Sequence, residues 1–302
     1  MQTIFLNSLG ILLILLLAIG TKRVGLLHQS DSAITSKLVV YVTLPAMIVV
    51  GVNHTRLSGI FFILMGMGVA TNLILVGVGY LLGRRSGTVV RGFYMFELSG
   101  YNIGNFSIPF VSSFFPAAIP FLAMFDMGNS IMCTGGTQAI VETTADRNQH
   151  GFILRDILNL LFRNPPFVTY ILMFAMAVFG LSFPNAWLTA IKPLASANTL
   201  LSIFTIGLFM EFRLPKGKLG LIFRVLFSRY LMAAIFSVIV LVFLPFPHLV
   251  KEVLLLIFFC PMSFLQMLQA TEFGNDRGTT GLAISLSMLV SLILMSAVVI
   301  LF

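Results

Sequence analysis

No charged side chain interrupts residues 57–83 or residues 278–302. A run of that length has few solutions, because crossing the hydrocarbon of a bilayer takes roughly 20 apolar residues in a helix, whereas a helix at the surface of a soluble domain needs a charged face. Composition carries the same message along the whole chain: of 302 residues 58% are apolar and only 9% charged, against about 25% charged in soluble domains. Lipid is therefore the expected solvent. The 30 Phe, 16 Met and single Trp fit packed helices better than an outer-membrane barrel, whose strands alternate apolar and polar residues.

Cutting at the polar and Gly/Pro-rich breaks predicts ten spans, at about 3–20, 37–53, 59–82, 92–113, 117–141, 166–182, 187–210, 220–243, 249–270 and 279–301. These leave no stretch long enough for a soluble domain. Orientation follows from the basic residues, which stay on the cytoplasmic side near span ends. Fourteen of the 18 Lys and Arg fall in odd-numbered loops, against Arg56, Lys192 and Lys251 in the even ones. Both termini are expected outside the cytoplasmic membrane, with the first apolar run retained as a helix: no basic residue precedes it and Thr21-Lys22-Arg23 follows. The net charge of +8 is spread between apolar blocks, with no basic arm, so nucleic acid is not an expected partner. Cys133 and Cys260 lie in apolar stretches and are expected as reduced, buried thiols.

The layout divides into a five-helix repeat at 1–141, a connector at 142–165 and a second five-helix repeat at 166–302. Within the connector, Phe152 to Arg163 alternates apolar positions with charges and predicts an amphipathic helix in the cytoplasmic interface. Each repeat has a Pro in its second span (Pro45, Pro193) and in its fourth (Pro109, Pro261). Repeats of five spans insert in opposite orientations, the inverted architecture of secondary transporters. The predicted fold is an all-α polytopic membrane protein of ten helices.

The fourth and ninth spans carry the chemistry. Ser99-Gly100-Tyr101-Asn102-Ile103-Gly104-Asn105-Phe106-Ser107-Ile108-Pro109 sets helix-weakening Gly104 and Pro109 beside polar Asn102, Asn105 and Ser107 at membrane depth. One reading is a kinked helix whose polar groups bond to neighbours, with Gly100 and Gly104 as a packing face. The other is a discontinuous helix whose unwound centre lines a cavity. Cys260-Pro261-Met262-Ser263-Phe264-Leu265-Gln266 is the matching interruption in the ninth span. Two half-helix N-termini meeting at mid-membrane would each bring about half a positive charge, which favours an anion such as a carboxylate.

These residues resemble the auxin efflux carrier family of membrane transporters, bacterial malate and malonate permeases included. The resemblance is carried by Leu38-Val39-Val40-Tyr41-Val42-Thr43-Leu44-Pro45-Ala46, by Asn102-x-Gly104 with Pro109, and by Arg163-Asn164-Pro165-Pro166. Ile206-Gly207-Leu208, Pro261, Ala270-Thr271-Glu272-Phe273-Gly274 and Ser285-Leu286-Ser287 match more loosely. It implies ten helices in two inverted repeats, broken and crossed fourth and ninth helices, and transport of small organic anions. Ser107 departs from the Gly common in the family. The compact chain is closer to bacterial members.

The expected anion site comprises Asn102 and Asn105 with backbone near Gly104 and Pro109, closed by Ser263 and Gln266 beside Pro261, with Thr43 lining the cavity. An ionisable residue inside a span costs about 2.5–3.5 kcal/mol unless paired or wetted. Asp126, with Asn129 one turn on, is expected either to couple transport to protons or sodium or to accept hydrogen bonds from the fourth-span break. Glu97 is a further coupling candidate, or reaches cytoplasmic water from two turns above Arg91. Lys192 and Arg229 are expected to snorkel from span ends. Gly79-x-x-x-Gly83 could pair helices within the chain or in a homodimer. His28, His54, His150 and His248 all fall in loops and no P-loop or His-Glu-x-x-His occurs, so neither an enzyme nor a bound cofactor is expected. The expected function is a secondary carrier of small organic anions, with a non-transporting sensor on the same fold as the alternative.

Overall fold

The computed structural model describes residues 2–56, 58–145, 154–210 and 217–301. All regular structure among them is helical. In chain order the α-helices are α1 (Gln2–Arg23), α2 (Ser32–Leu38), α3 (Leu44–Val52), α4 (Gly59–Gly83), α5 (Thr88–Leu98), α6 (Ile108–Ser112), α7 (Ile119–Ile131), α8 (Thr137–Thr144), α9 (Leu154–Phe162), α10 (Pro165–Val178), α11 (Asn185–Phe209), α12 (Leu219–Phe243), α13 (His248–Phe258), α14 (Phe264–Glu272) and α15 (Arg277–Leu301). Among the described residues five helical stretches are long and apolar enough to cross a membrane: Gln29–Val52, Gly59–Gly83, Asn185–Phe209, Leu219–Phe243 and Arg277–Leu301.

The surface matches a lipid solvent. Leu12, Leu13, Leu16 and Leu17 on α1 and Phe223, Phe227, Leu231, Ile235 and Phe243 on α12 point outward. Asn72, Ser107, Thr137, Asn198, Ser285 and Ser287 are fully buried instead. Polar groups inside and apolar groups outside mark the chain as a membrane protein, since a lipid-exposed polar group has no partner.

Three predicted spans are interrupted by a wide π turn, at Val39–Thr43, Ile103–Ser107 and Met132–Gly136. Two of these end immediately before Leu44-Pro45 and Ile108-Pro109. A proline lacks the amide that would bond the preceding turn and its ring crowds that turn's carbonyl, and a π turn makes the extra room without ending the helix. Pro193, by contrast, is carried inside the continuous α11.

Glycine sets the closest packing. A Cβ on Gly68 would lie 2.3 Å from the Phe125 carbonyl oxygen, and one on Gly128 would lie 2.0 Å from that of Met65, so α4 and α7 touch backbone to backbone. Gly79 and Gly83 meet Met95 and Arg91 of α5 in the same way, which is the within-chain role for this motif.

The helices form two packing groups. In one, α11 lies against α1, α2 and α3, and α10 against α3. In the other, α4, α5, α7 and α12–α15 pack among themselves. Lys22 at the end of α1 donates to the Leu208 carbonyl oxygen at 3.0 Å and to that of Met210, closing the C-terminus of α11 with a cation. The connector helix α9 meets α10 at 87°, the angle of a segment lying flat beside one standing upright. Phe152 and Ile153 of the predicted amphipathic stretch, and Arg147, Arg213 and Lys216 of the basic loops, lie outside the described residues.

Candidate functional site

α5 stops at Leu98, and the chain runs unwound through Asn102 before rewinding at Ile103. Gly100 takes φ +75°, where a side chain is strained, and its missing Cβ would sit 2.6 Å from Gln266 Cγ. In the ninth predicted span α13 stops at Phe258 and α14 begins at Phe264. The two interruptions touch. Tyr101 and Met262 pair as an isolated antiparallel bridge, and the Asn102 amide donates to the Pro261 carbonyl oxygen at 3.0 Å. Both segments are thus unwound at their centres, and the two breaks lie against each other.

An unwound backbone in a buried site must find partners for its polar groups, and side chains of neighbouring helices supply them. Asn72 Oδ1 accepts from the Gly100 amide at 2.6 Å. Asn129 reads both backbone groups of Tyr101, Oδ1 accepting from its amide at 3.1 Å and Nδ2 donating to its carbonyl at 2.9 Å. Ser287 Oγ accepts from the Met262 amide at 3.2 Å. The exposed carbonyls go to one residue, Arg229. Its Nη1 donates to Leu98 O at 2.6 Å, and its Nη2 faces Gly100 O at 2.9 Å and Cys260 O and Pro261 O at 3.1 Å each. The guanidinium also lies 5.2 Å from the centre of the Tyr101 ring, a cation–π distance.

Snorkelling from a span end is therefore overturned for Arg229: it is the eleventh residue of the 25-residue α12, 1% exposed, and its partners are carbonyls at the two breaks. Its depth in the span was the available signal, because a cation there must find a partner inside the protein. Lys192 is exposed, as a snorkelling residue would be. Glu97 is corrected too. It does not reach water but is 0% exposed, and among the described residues neither its carboxyl oxygens nor Arg229 Nε has a hydrogen-bond partner.

Asp126 is buried with both oxygens engaged: Oδ1 accepts from Asn129 Nδ2 and Oδ2 from the Tyr170 hydroxyl, each at 2.8 Å. Asp126 thus orients the amide that holds Tyr101; its own donors come from α7 and α10 and not from the fourth-span break. Asn129 is bound up in that same network, with Asn72 Nδ2 and Cys133 Sγ also on its Oδ1.

A cavity of about 800 Å³ runs between the helix pair α2/α11 and the crossing. Asn102 and Asn105 line it, with Ser32, Ser36, Ser202 and Thr205 opposite, and Val39, Ile206, Phe209, Phe264 and Met288 as its apolar wall. Phe209 and Phe264 meet edge to face at 4.4 Å. At its mouth stand Gln29, Ser30, Asp276, Arg277 and Gly278. Asp276 caps α15, accepting from the amide and hydroxyl of Thr279 at 2.8 Å each, and these bonds hold its carboxyl below the usual carboxylate range. Within the cavity wall Asn105 Oδ1 and Ser202 Oγ are buried without a protein partner among the described residues.

Of the expected site residues, then, Asn102 and Asn105 reach the cavity. Thr43 does not: its hydroxyl donates to Asn198 Oδ1 at 2.9 Å and ties α11 to the end of the π turn. Gly104 faces Leu44 and Asp126. The Pro109 carbonyl accepts from Ser112, Ser113 and Thr199. Ser263 and Gln266 pack against Gly100 beside Cys133, behind the crossing, and Pro261 lies in the crossing itself. Phe264, between Ser263 and Gln266, is the ninth-span residue that meets the cavity. No protein-family model matches the chain, and no curated protein matches it.

Proposed function

We propose that the protein is a secondary carrier of small organic anions that works by alternating access. The observation that carries this reading is the 800 Å³ cavity ending on Asn102 and Asn105 beside two broken, touching helices. The carboxamides of Asn102 and Asn105 line the cavity and supply the donors for a carboxylate. Phe209, Phe264, Ile206 and Val39 receive its carbon body. The resemblance to the auxin efflux carrier family points to the same class of substrate.

The wider architecture belongs to this proposal. Breaks fall in the fourth predicted span of both halves, which supports two inverted five-helix repeats. The cavity mouth is formed by residues of the first and ninth loops, which the charge count assigns to the cytoplasm. That reading gives an inward-facing state in the cytoplasmic membrane, with both termini outside. The group containing α4, α5, α7 and α12–α15 moves against α1–α3, α10 and α11. Protons or sodium couple through Asp126, whose carboxylate is linked to the unwound Tyr101 through Asn129.

The test is tracer uptake by purified protein in liposomes across a panel of mono- and dicarboxylates, with and without proton and sodium gradients. Saturable uptake of one acid that Asn102→Ala removes is the expected result. Uptake of no acid by folded, oriented protein would overturn the carrier reading.

A further inference from the structure

Four carbonyl oxygens from two different chain breaks, those of Leu98, Gly100, Cys260 and Pro261, converge on one point. Two of the four follow closely on the C-termini of α5 and α13, where a helix presents about half a negative charge and carbonyls without intrahelical partners. Bringing two such ends together in a buried site concentrates negative potential with no water to spread it. A cage of carbonyl oxygens in that situation is the usual ligand set of a hard cation. Here the position is filled by a guanidinium whose planar fork of donors cannot lose its charge, and whose flat face lies on Tyr101.

We propose that these four carbonyls form a monovalent-cation site that Arg229 occupies from within the chain, clamping the two broken helices with a resident charge instead of an ion taken from solution. Arg229 is a positioning residue: it touches the backbone of the crossing and does not line the cavity. Because it is rooted in α12, it also fixes that helix to the crossing, so that α5, α12 and α13 move as one body. This assignment rests on the crossing geometry and stands apart from the substrate.

The experiment compares wild type and Arg229→Ala in lipid nanodiscs, reading Tm in choline, sodium, potassium and ethylguanidinium chlorides. The wild type is expected to show the same Tm in choline, potassium and ethylguanidinium chlorides, and its value in sodium is the baseline for sodium bound at Asp126. Arg229→Ala is expected to fall by about 10 °C in choline and to regain at least half of that loss in millimolar ethylguanidinium or in sodium or potassium. A loss that no cation restores beyond choline, or no loss at all, overturns the proposal. Should the variant not survive purification, amide exchange of the wild type decides. Residues 99–102 and 259–263 are expected to exchange as slowly as the flanking helices in both potassium and choline. Faster exchange of both segments when potassium is withdrawn would mean that an ion from solution holds the crossing, and would sink the assignment.

Discussion

At the scale of single residues, the crossing separates two kinds of asparagine. Asn72 and Asn129 spend hydrogen bonds on the backbone of Gly100 and Tyr101, whereas Asn105 keeps its amide oxygen without a partner among the described residues. The two kinds respond differently to truncation. Asn129→Ala strips partners from both backbone groups of Tyr101 in a buried site, where each unpaired group costs about 1–3 kcal/mol. It is expected to lower stability by about 2–4 kcal/mol, read from chemical or thermal unfolding in lipid. Asn102→Ala removes a carboxamide that lines the cavity. Its Tm is expected to stay at the wild-type value while anion uptake falls at least about tenfold, the size of one hydrogen bond to a charged group. A destabilised Asn102→Ala protein would move that residue into the same class as Asn129. Asp126→Asn is the intermediate case. It keeps the shape but alters the acceptor set for Asn129 and Tyr170, and the response to a proton or sodium gradient is expected to vanish while exchange persists. An unchanged gradient response removes Asp126 from coupling. Residue type alone pointed to Asn102, Asn105 and Asp126, because polar groups at membrane depth are costly and so stand out. It misjudged Thr43, which has a plain alternative partner in Asn198, and Arg229, whose four acceptors come from segments 31 to 131 positions away in sequence.

At the scale of elements, the five stretches long and apolar enough to cross a membrane were legible because hydropathy needs no partner to be read. Their interior was less so. A proline in an apolar run signals a kink, yet Pro45 and Pro109 follow π turns and Pro193 sits in unbroken helix, since the outcome depends on which neighbour fills or leaves the space around the preceding carbonyl. Glycines show the same dependence. On α4, a Cβ at Gly66 meets nothing within 4 Å, while one at Gly68 meets the Phe125 carbonyl oxygen at 2.3 Å. Gly66→Ala is therefore expected to be neutral or to stabilise by up to about 1 kcal/mol, the difference in helix propensity. Gly68→Ala forces α4 from α7 and is expected to cost about 1–3 kcal/mol as an overpacking change. Measuring both variants in one lipid preparation checks the contact, and equal effects would remove it. No pattern in the sequence distinguishes the two glycines, because helix rotation decides which of them faces α7.

At the scale of the whole molecule, the two packing groups meet along the cavity and also where α7 packs on α3 and α10, with the Tyr170 hydroxyl on Asp126 joining them, so a shift of one against the other changes the path to Asn102 and that contact together. The cavity wall could not be read in advance for the same reason. Its lining comes from α2, α11 and α15 as well as from the crossing, and each helix contributes only the face that its rotation presents. Thr205 on α11 is half-buried in that wall, and both native cysteines are buried, so a cysteine placed there reports the cavity over a low background. Thr205→Cys is expected to react with a membrane-impermeant thiol reagent supplied from the side of Gln29 and Arg277, and to be shielded by a transported acid. The same substitution at Val242, on the outward apolar face of α12, is expected to react from neither side, because lipid excludes the charged reagent. Reaction at position 205 from the opposite side alone would place the cavity mouth on the far face of the membrane and reverse the orientation drawn from the basic loops. Reaction from both sides in turn, with substrate shifting the balance, is the signature of two packing groups exchanging positions around a fixed crossing.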